Sequence, residues 1–466
     1  MRGGIPQSPP RKQSKGKGES WLRMAILDVV AAVISPDSPR ILLVEFNPFQ
    51  PAHTPISLGY LAAFLKKHQF ESEVLNIGSD TLVSTRELAE RLARTRPRIV
   101  GFSAYQRNLF FIRGLAQWCK ILVPECLVAL GGPQATFLPT QALPDLPSVD
   151  LVCRSEGEPA LLCLAQTVRD GGEVLNLPGW SGRGPDGSLW DGGVPDPAPA
   201  DLDTYPSPYL EGILDPKGAD EAILLASRGC AYQCAFCYTP KAFGKRIRFH
   251  SPERVLDEME WISKQGVTRF WFADPSFTFH EGRVRRLLEG VLSRGLRVGM
   301  WLETRADLVE ADLLGLMKRA GVHTVAFGLE SACRSVLERI RKPLDLAVME
   351  RAIRLTQEAG IEVELFSQYG LPGETFEDSK ETLRFVQNNR VAVRGNTNAQ
   401  QMQVYFGTDI QADPAAFGIR PLEESIPPYL SIGSRYETDW MSADQIQAVG
   451  RLWKAASLDG GKHIVS

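Results

Sequence analysis

Ser227-Arg-Gly-Cys-Ala-Tyr-Gln-Cys-Ala-Phe-Cys237 is a short loop that follows an apolar, strand-like run at 222–226. It sets Cys230, Cys234 and Cys237 at C-x3-C-x2-C spacing, with no fourth cysteine close in sequence. Thiolates spaced this way converge on three corners of an iron–sulfur cubane, and because a [4Fe–4S] cluster takes four ligands, one iron is left open to an outside molecule. Two blander readings stand beside this one. The cysteines could pack as small hydrophobes, or bind zinc, which wants a second close Cys or His pair and finds only His250 nearby.

Outward from the loop, apolar strand runs alternate with helical periodicity. Downstream come a helix at 252–265, a strand at 269–273, a helix at 281–294, a strand at 299–303, a helix at 311–320 and a strand at 324–328. Helices at 335–340 and 347–359, a strand at 362–366, a helix at 377–388 and a strand at 400–405 follow. Counting 222–226, this predicts a partial (β/α)6 TIM-like barrel, whose chemistry gathers at the carboxyl ends of its strands. Cys230, Asp274, Glu303, Arg305, Glu330 and the turn Gly370-Leu-Pro-Gly-Glu374 all fall at such ends.

Upstream, strands at 41–45, 73–77, 99–103, 127–130 and 150–153 alternate with helices at 58–68, 85–95, 109–122 and after Glu156-Gly-Glu-Pro159. That pattern predicts a doubly wound, Rossmann-like parallel sheet, so the fold class is α/β. Ligands of such sheets sit at the strand carboxyl ends, where Asn47, Ser103, Tyr105, Gly131, Gly132, Pro133 and Gln134 are placed. The expected organisation is a disordered basic tail at 1–24, the Rossmann-like domain at 25–170 and a Gly/Pro/Asp-rich connector at 171–220. A small hairpin is expected in the connector at Pro185-Asp-Gly-Ser188, the barrel at 221–390 and a C-terminal segment at 391–466. In that last segment Tyr405, Phe406, Tyr429, Trp440 and Trp453 read as core and lid packing.

With 466 residues, 44% hydrophobic and 23% charged, the chain has the make-up of a globular protein with two or three cores. No run approaches the roughly eighteen apolar residues of a membrane span. A net charge of −3 argues against a broad electrostatic grip on nucleic acid. Eight cysteines, three of them grouped, suit reduced thiols and a metal site better than a disulfide framework, which points to the cytoplasm.

The cysteine loop, with Phe236 just ahead of its last cysteine, resembles the signature of the radical S-adenosylmethionine (SAM) superfamily, in which the open iron is chelated by SAM. The upstream half, through Leu130-Gly-Gly-Pro-Gln-Ala-Thr136 and Glu156-Gly-Glu158, resembles the N-terminal domain of cobalamin-dependent members. The resemblance implies a [4Fe–4S] cluster, SAM and cobalamin as cofactors. Phe236, Asp274, Glu303, Arg305, Glu330, Gly370 and Glu374 would lie around SAM, with Asp274 at the amino-group position. Asn47, Ser103, Tyr105, Arg107, Gly131, Gly132, Pro133, Gln134, Glu156 and Gly157 would lie around cobalamin. No D-x-H-x-x-G sequence is present and His53 lacks a preceding Asp, so the implied state is base-off, without histidine below cobalt, and Arg107 or Tyr105 could occupy that face.

The implied reaction is methyl transfer from SAM, by way of methylcobalamin, to a carbon or phosphorus centre of a small-molecule or peptide intermediate. A flavodoxin- or ferredoxin-type donor would supply the electron. Non-methylating cyclisation or rearrangement, and polar methylation of an aromatic carbon such as that of tryptophan, are the alternatives. A sensor would need an output domain, and a tRNA methylthiotransferase a second cysteine group; Cys119, Cys126, Cys153 and Cys163 lack that grouping. The strand ends of the first sheet are expected to face the mouth of the barrel.

Overall fold

The computed structural model describes residues 40–49, 53–79, 84–193, 199–393 and 399–458. The expected tail at 1–24 lies outside these residues.

The first sheet is built on β1 (Ile41–Phe46), β2 (Ser72–Ile77), β3 (Ile99–Ser103), β4 (Leu127–Gly131) and β5 (Leu151–Cys153), all parallel in the order β2-β1-β3-β4-β5. Every residue of β1 is buried, as the uniform apolar run Ile-Leu-Leu-Val requires of a strand covered on both faces. Helices Ile56–Lys67 and Gly157–Arg169 cover one face and Ser84–Thr95 and Leu109–Leu122 the other. The strand order reverses between β1 and β3, and such a switch point opens a crevice at the strand ends.

The predicted connector contributes to this sheet. β6 (Trp180–Arg183) and β7 (Leu189–Asp191) form an antiparallel hairpin that extends it past β5. Trp180 is the reason: its ring is buried in the core and its Nε1–H donates to the Ala160 carbonyl.

The second sheet is wholly parallel, in the order β8 (Ala222–Leu224), β11 (Arg269–Phe272), β12 (Gly299–Thr304), β13 (Val322–Glu330), β14 (Glu362–Tyr369) and β15 (Ala399–Gln401). The six strands and their helices make an open partial barrel, with the last strand shorter than the 400–405 expected from sequence. Two-residue strands β9 (Ser227–Arg228) and β10 (Arg248–Phe249) pair beside it. Helix ends follow the sequence: Ser251 caps Pro252–Lys264, Thr375 and Asp378 form a capping box on Phe376–Asn388, and Gly321 at φ 103° closes Ala311–Ala320.

The C-terminal segment holds both halves. Ile446, Val449, Trp453 and Ala456 pack into the barrel core, whereas Leu430 and Tyr429 pack on the first sheet. Gln134 Nε2 donates to the Tyr429 carbonyl from the other side. β16 (Ile419–Pro421) and β17 (Tyr436–Thr438) form a small antiparallel pair in this segment.

Candidate functional site

One cavity of about 690 Å³ runs from the strand ends of the first sheet to the cysteine loop. Gly131, Gly132, Pro133, Ser103 and Tyr105 line one end, and Cys230, Cys234, Cys237, Phe236, Glu303, Arg305 and Glu330 line the other. The first sheet therefore faces the barrel mouth, as expected.

On the first sheet, buried Asn108 builds the switch point. Its Oδ1 accepts from the Tyr105 backbone N–H, and its Nδ2 donates to the Phe46 and Ser103 carbonyls, tying the ends of β1 and β3 together. Tyr105 follows, 40% exposed at the cavity wall. Gly132 has φ 91°, and a Cβ there would stand 2.9 Å from the Ala104 carbonyl oxygen, so only glycine fits. A Cβ on Gly131 would meet nothing within 4 Å; a side chain there would enter the cavity. Further in, Leu43, Gly101 and Ala129 stand side by side across β1, β3 and β4 and line the cavity. Side-chain volume vanishes in the middle of that row, so the cavity continues down the sheet toward Cys153 and Trp180. A large ligand with a tail fits this recess.

Around the cysteine loop, backbone contacts fix each turn. Gly229 at φ 99° leaves no room for a Cβ, which would lie 2.5 Å from the Arg246 carbonyl oxygen. Cys230 N–H donates to the Gly244 carbonyl, Ala235 N–H to that of Ile340, and Cys237 N–H to that of Cys234. The guanidinium carbon of Arg305 stacks 3.8 Å from the centre of the Tyr232 ring, inside the loop, while Arg305 also pairs with Asp307 and donates to the Pro343 carbonyl. Burial raises the Cys234 thiol to about 11 and lifts Cys237 too, and each is raised further by the other cysteines. Three half-buried cysteines crowded on one loop are what a cationic iron cluster would relieve as thiolates. Among the described residues no three metal-ligating side chains close on a single ion; cluster thiolates ride on separate irons. His250 is no zinc ligand either. Its Nε2 meets the Tyr60 hydroxyl at 3.2 Å and its Nδ1 meets Asp203 at 2.9 Å, fully buried.

The carboxylates divide into three kinds. Glu303 lines the cavity, no described group hydrogen-bonds it, and burial first, then Asp274 and Glu330, push it up to about 7. Glu330 sits at a register shift of β13 with φ 61°, and its carboxylate is shared by Lys342 at 2.7 Å and Gln368 at 2.7 Å. Asp274 and Glu374 do not line the cavity. Asp274, expected at the amino-group position, turns inward to accept from Ala226 N–H and the Ser227 hydroxyl, anchoring β8 to the cysteine loop. Glu374 accepts from the backbone N–H groups of Gly370 and Leu371 and is pushed up to about 8 by burial. Gly370 is closed off by the Tyr436 hydroxyl. The Gly370–Glu374 turn thus holds itself, away from the cavity.

Three expected corrin-side residues also stand elsewhere. Asn47 accepts from Phe49 N–H, Gln134 is spent on Tyr429, and Arg107 is exposed near Tyr405; none of them lines the cavity. Glu156 and Gly157 do line it, yet the carboxylate of Glu156 is paired with Arg228 and Arg248, and Glu158 with Arg228 at 2.6 Å. All four side chains are at most 7% exposed. The Arg228 guanidinium is also sandwiched between the rings of Tyr60 and Tyr205, at 5.2 and 5.0 Å. This network joins the two halves two residues before Cys230. Sequence reasoning missed Arg228, Arg248, Tyr60, Asn108 and Lys342; the signal was available for Arg228, a cation inside the cysteine stretch with an acidic pair upstream to match.

Residues 46–165 match the B12 binding domain and residues 224–386 the Radical SAM superfamily. An uncharacterized methyltransferase of Pyrococcus horikoshii is 28% identical over 336 residues, 71% of this chain and 72% of that protein. Anaerobic magnesium-protoporphyrin IX monomethyl ester cyclase of Rubrivivax gelatinosus is 29% identical over 350 residues, which are 72% of this chain and 62% of the cyclase, less than two thirds of its length. The fold is shared with the radical SAM methyltransferase TsrM from Kitasatospora setae, solved with cobalamin and a [4Fe-4S] cluster, at TM-score 0.71 and 20% identity, covering 88% of this chain and 91% of that one. With a B12-binding domain and a radical SAM domain opening on one cavity, the chain belongs to the cobalamin-dependent radical SAM enzymes.

Proposed function

We propose that this enzyme is a methyltransferase that moves a methyl group from SAM, by way of cobalamin, to a carbon or phosphorus centre of a small-molecule or peptide intermediate. The observation that carries the reading is the single cavity with Gly131-Gly132 at one end and the three cysteines at the other. When bound, the cluster and SAM supply a 5′-deoxyadenosyl radical and the corrin a transferable methyl group. The chain's own part is to hold these groups face to face, away from water.

Cys230, Cys234 and Cys237 would hold three irons. Glu303, an open carboxylate beside them, suits the SAM ammonium, and the Arg305 guanidinium suits its carboxylate. Phe236 and Glu330 line the same end. Ser103, Tyr105, Gly131, Gly132 and Pro133 would border the corrin, with its tail along Gly101 and Ala129. No histidine among the described residues lines the cavity, and His53 instead faces Glu45, 3.6 Å away, which supports a base-off cofactor without histidine below cobalt. Tyr105 lines the cavity and Arg107 does not, which supports Tyr105 as the side chain that would meet that lower face.

All eight cysteines are free and no described helix is long and apolar enough to cross a membrane. Free thiols support a cytoplasmic setting, where a flavodoxin- or ferredoxin-type protein supplies the electron. The likeness to a cyclase keeps ring formation as the second reading. Protein reconstituted with iron, sulfide and cobalamin, given SAM and a reductant, should take up the corrin by its visible spectrum and form S-adenosylhomocysteine by mass spectrometry. Absence of S-adenosylhomocysteine overturns the methyltransferase reading, and corrin uptake without it favours cyclisation.

A further inference from the structure

The cysteine loop reaches the protein surface. Ala231 and Gln233, between the first two cysteines, are exposed, and Cys230, Cys234 and Cys237 are half-buried. Three further segments hold the loop through backbone hydrogen bonds. The Gly244 carbonyl accepts from Cys230 N–H, the Ile340 carbonyl accepts from Ala235 N–H, and Ile410 N–H donates to the Ala235 carbonyl.

The side chains that these segments expose are mostly cations. Lys241, Lys245 and Arg246 stand around Gly244, and Arg341 follows Ile340; all four are exposed. Against them stands Asp409, beside Ile410, which pairs with Lys241 at 2.5 Å and Arg341 at 2.6 Å. Four cations facing one carboxylate give a local positive excess in a chain whose net charge is −3. No described group pairs with the side chain of Lys245 or Arg246, so these two charges stabilise nothing within the fold. Phe243, 38% exposed, stands in the same segment. Unspent cations around an exposed aromatic steer and seat an acidic partner. The cavity side of the loop is taken up by SAM and the corrin, so an electron has to reach the cluster from the exposed side.

Resting on the cluster-and-SAM part of the proposed function, we infer that Lys245 and Arg246, with Lys241 and Arg341, dock an acidic one-electron donor protein, a flavodoxin, over the cysteine loop. In the step this serves, the anionic flavodoxin hydroquinone gives up one electron and becomes the neutral semiquinone, while the cluster passes from its 2+ to its 1+ state; no bond forms or breaks. The probe is an acidic bacterial flavodoxin, given to cluster- and cobalamin-loaded protein. Calorimetry with the oxidised form reads docking, and anaerobic stopped-flow absorbance with the hydroquinone reads cluster reduction. Docking should weaken as salt is raised from about 20 to about 200 mM. Lys245→Glu/Arg246→Glu should weaken docking at least tenfold and slow reduction by sub-saturating hydroquinone at least tenfold. Photoreduced deazariboflavin, small and uncharged, should reduce variant and parent alike. Lys217→Glu/Arg297→Glu makes the same change in net charge at exposed positions ahead of β8 and β12, at the opposite end of the barrel strands, and should behave as the parent. Unweakened docking in Lys245→Glu/Arg246→Glu, an equal loss in Lys217→Glu/Arg297→Glu, slower reduction by deazariboflavin, or no docking to the parent overturns the inference. A protein that docks flavodoxin in this way yet forms no S-adenosylhomocysteine loses the methyltransferase reading alone.

Discussion

The cavity is bordered by two acidic groups that could hardly differ more in how they are kept. Glu156 and Glu158 are closed: two arginines and two aromatic rings surround them, at most 7% exposed. Glu303 is open: it faces the cavity with no hydrogen-bonded partner and a carboxyl pushed up to about 7. Complete pairing of buried charge marks a joint between domains, and incomplete pairing marks a place kept for a ligand.

Removing a partner from the closed set should have the larger effect. Arg228→Met leaves two buried carboxylates with Arg248 alone, and should cost about 3–5 kcal/mol in denaturant unfolding. Glu303→Gln removes a carboxyl whose ionised form burial disfavours, so it should unfold no more easily than the parent, while weakening SAM binding more than tenfold by calorimetry. If Arg228→Met is as stable as the parent, the network is no joint; if Glu303→Gln binds SAM normally, the open carboxylate has another use.

Titration sharpens the same contrast. Glu303, at about 7, and Glu374, at about 8, both stand above the ordinary carboxyl value of 4.5. The folded state therefore holds more protons than the unfolded one between these values, and stability falls as pH rises. The contribution of protonated Glu303 and Glu374 is complete below 4.5 and is lost as pH passes about 7 and about 8. Denaturant midpoints of cofactor-free protein between pH 5 and 9 should show the fall, and Glu374→Gln should flatten its upper part. A fall unchanged in Glu374→Gln would place the titrating group elsewhere.

These contrasts also mark where sequence stops being readable. The strand at 41–45 reads as a central one because of its apolar run Ile-Leu-Leu-Val, and the cysteines read as a cluster because their spacing is itself the geometry. Asp274 and Glu374 sit at the expected strand ends, but a strand end does not say which way a side chain turns. Asp274 turns to Ser227 and Glu374 to its own turn. Both serve backbone N–H groups that a one-dimensional reading cannot see unsatisfied. Arg228 and Glu156 are 72 residues apart, and only the stacking of two domains makes them neighbours.

The paired glycines extend the open-versus-closed contrast to the corrin end. Gly132→Ala forces φ 91° and a Cβ 2.9 Å from the Ala104 carbonyl oxygen, and should destabilise by about 1–3 kcal/mol. Gly131→Ala meets nothing within 4 Å and should unfold like the parent, yet take up less cobalamin by absorbance after desalting. Equal loss of stability in the two variants would mean that Gly131 is also structural.

The smallest effect tests how the closed network is held. Tyr60 contributes twice: its ring lies 5.2 Å from the Arg228 guanidinium, and its hydroxyl meets His250 Nε2 at 3.2 Å. Tyr60→Phe keeps the ring and removes the hydroxyl, so it should cost about 1 kcal/mol, the worth of one buried hydrogen bond. Tyr60→Leu removes the cation–π contact as well and should cost about 1–2 kcal/mol more. If the two variants unfold alike, the Tyr60 ring adds nothing, and the carboxylates with Tyr205 keep Arg228 in the joint beside the cluster loop.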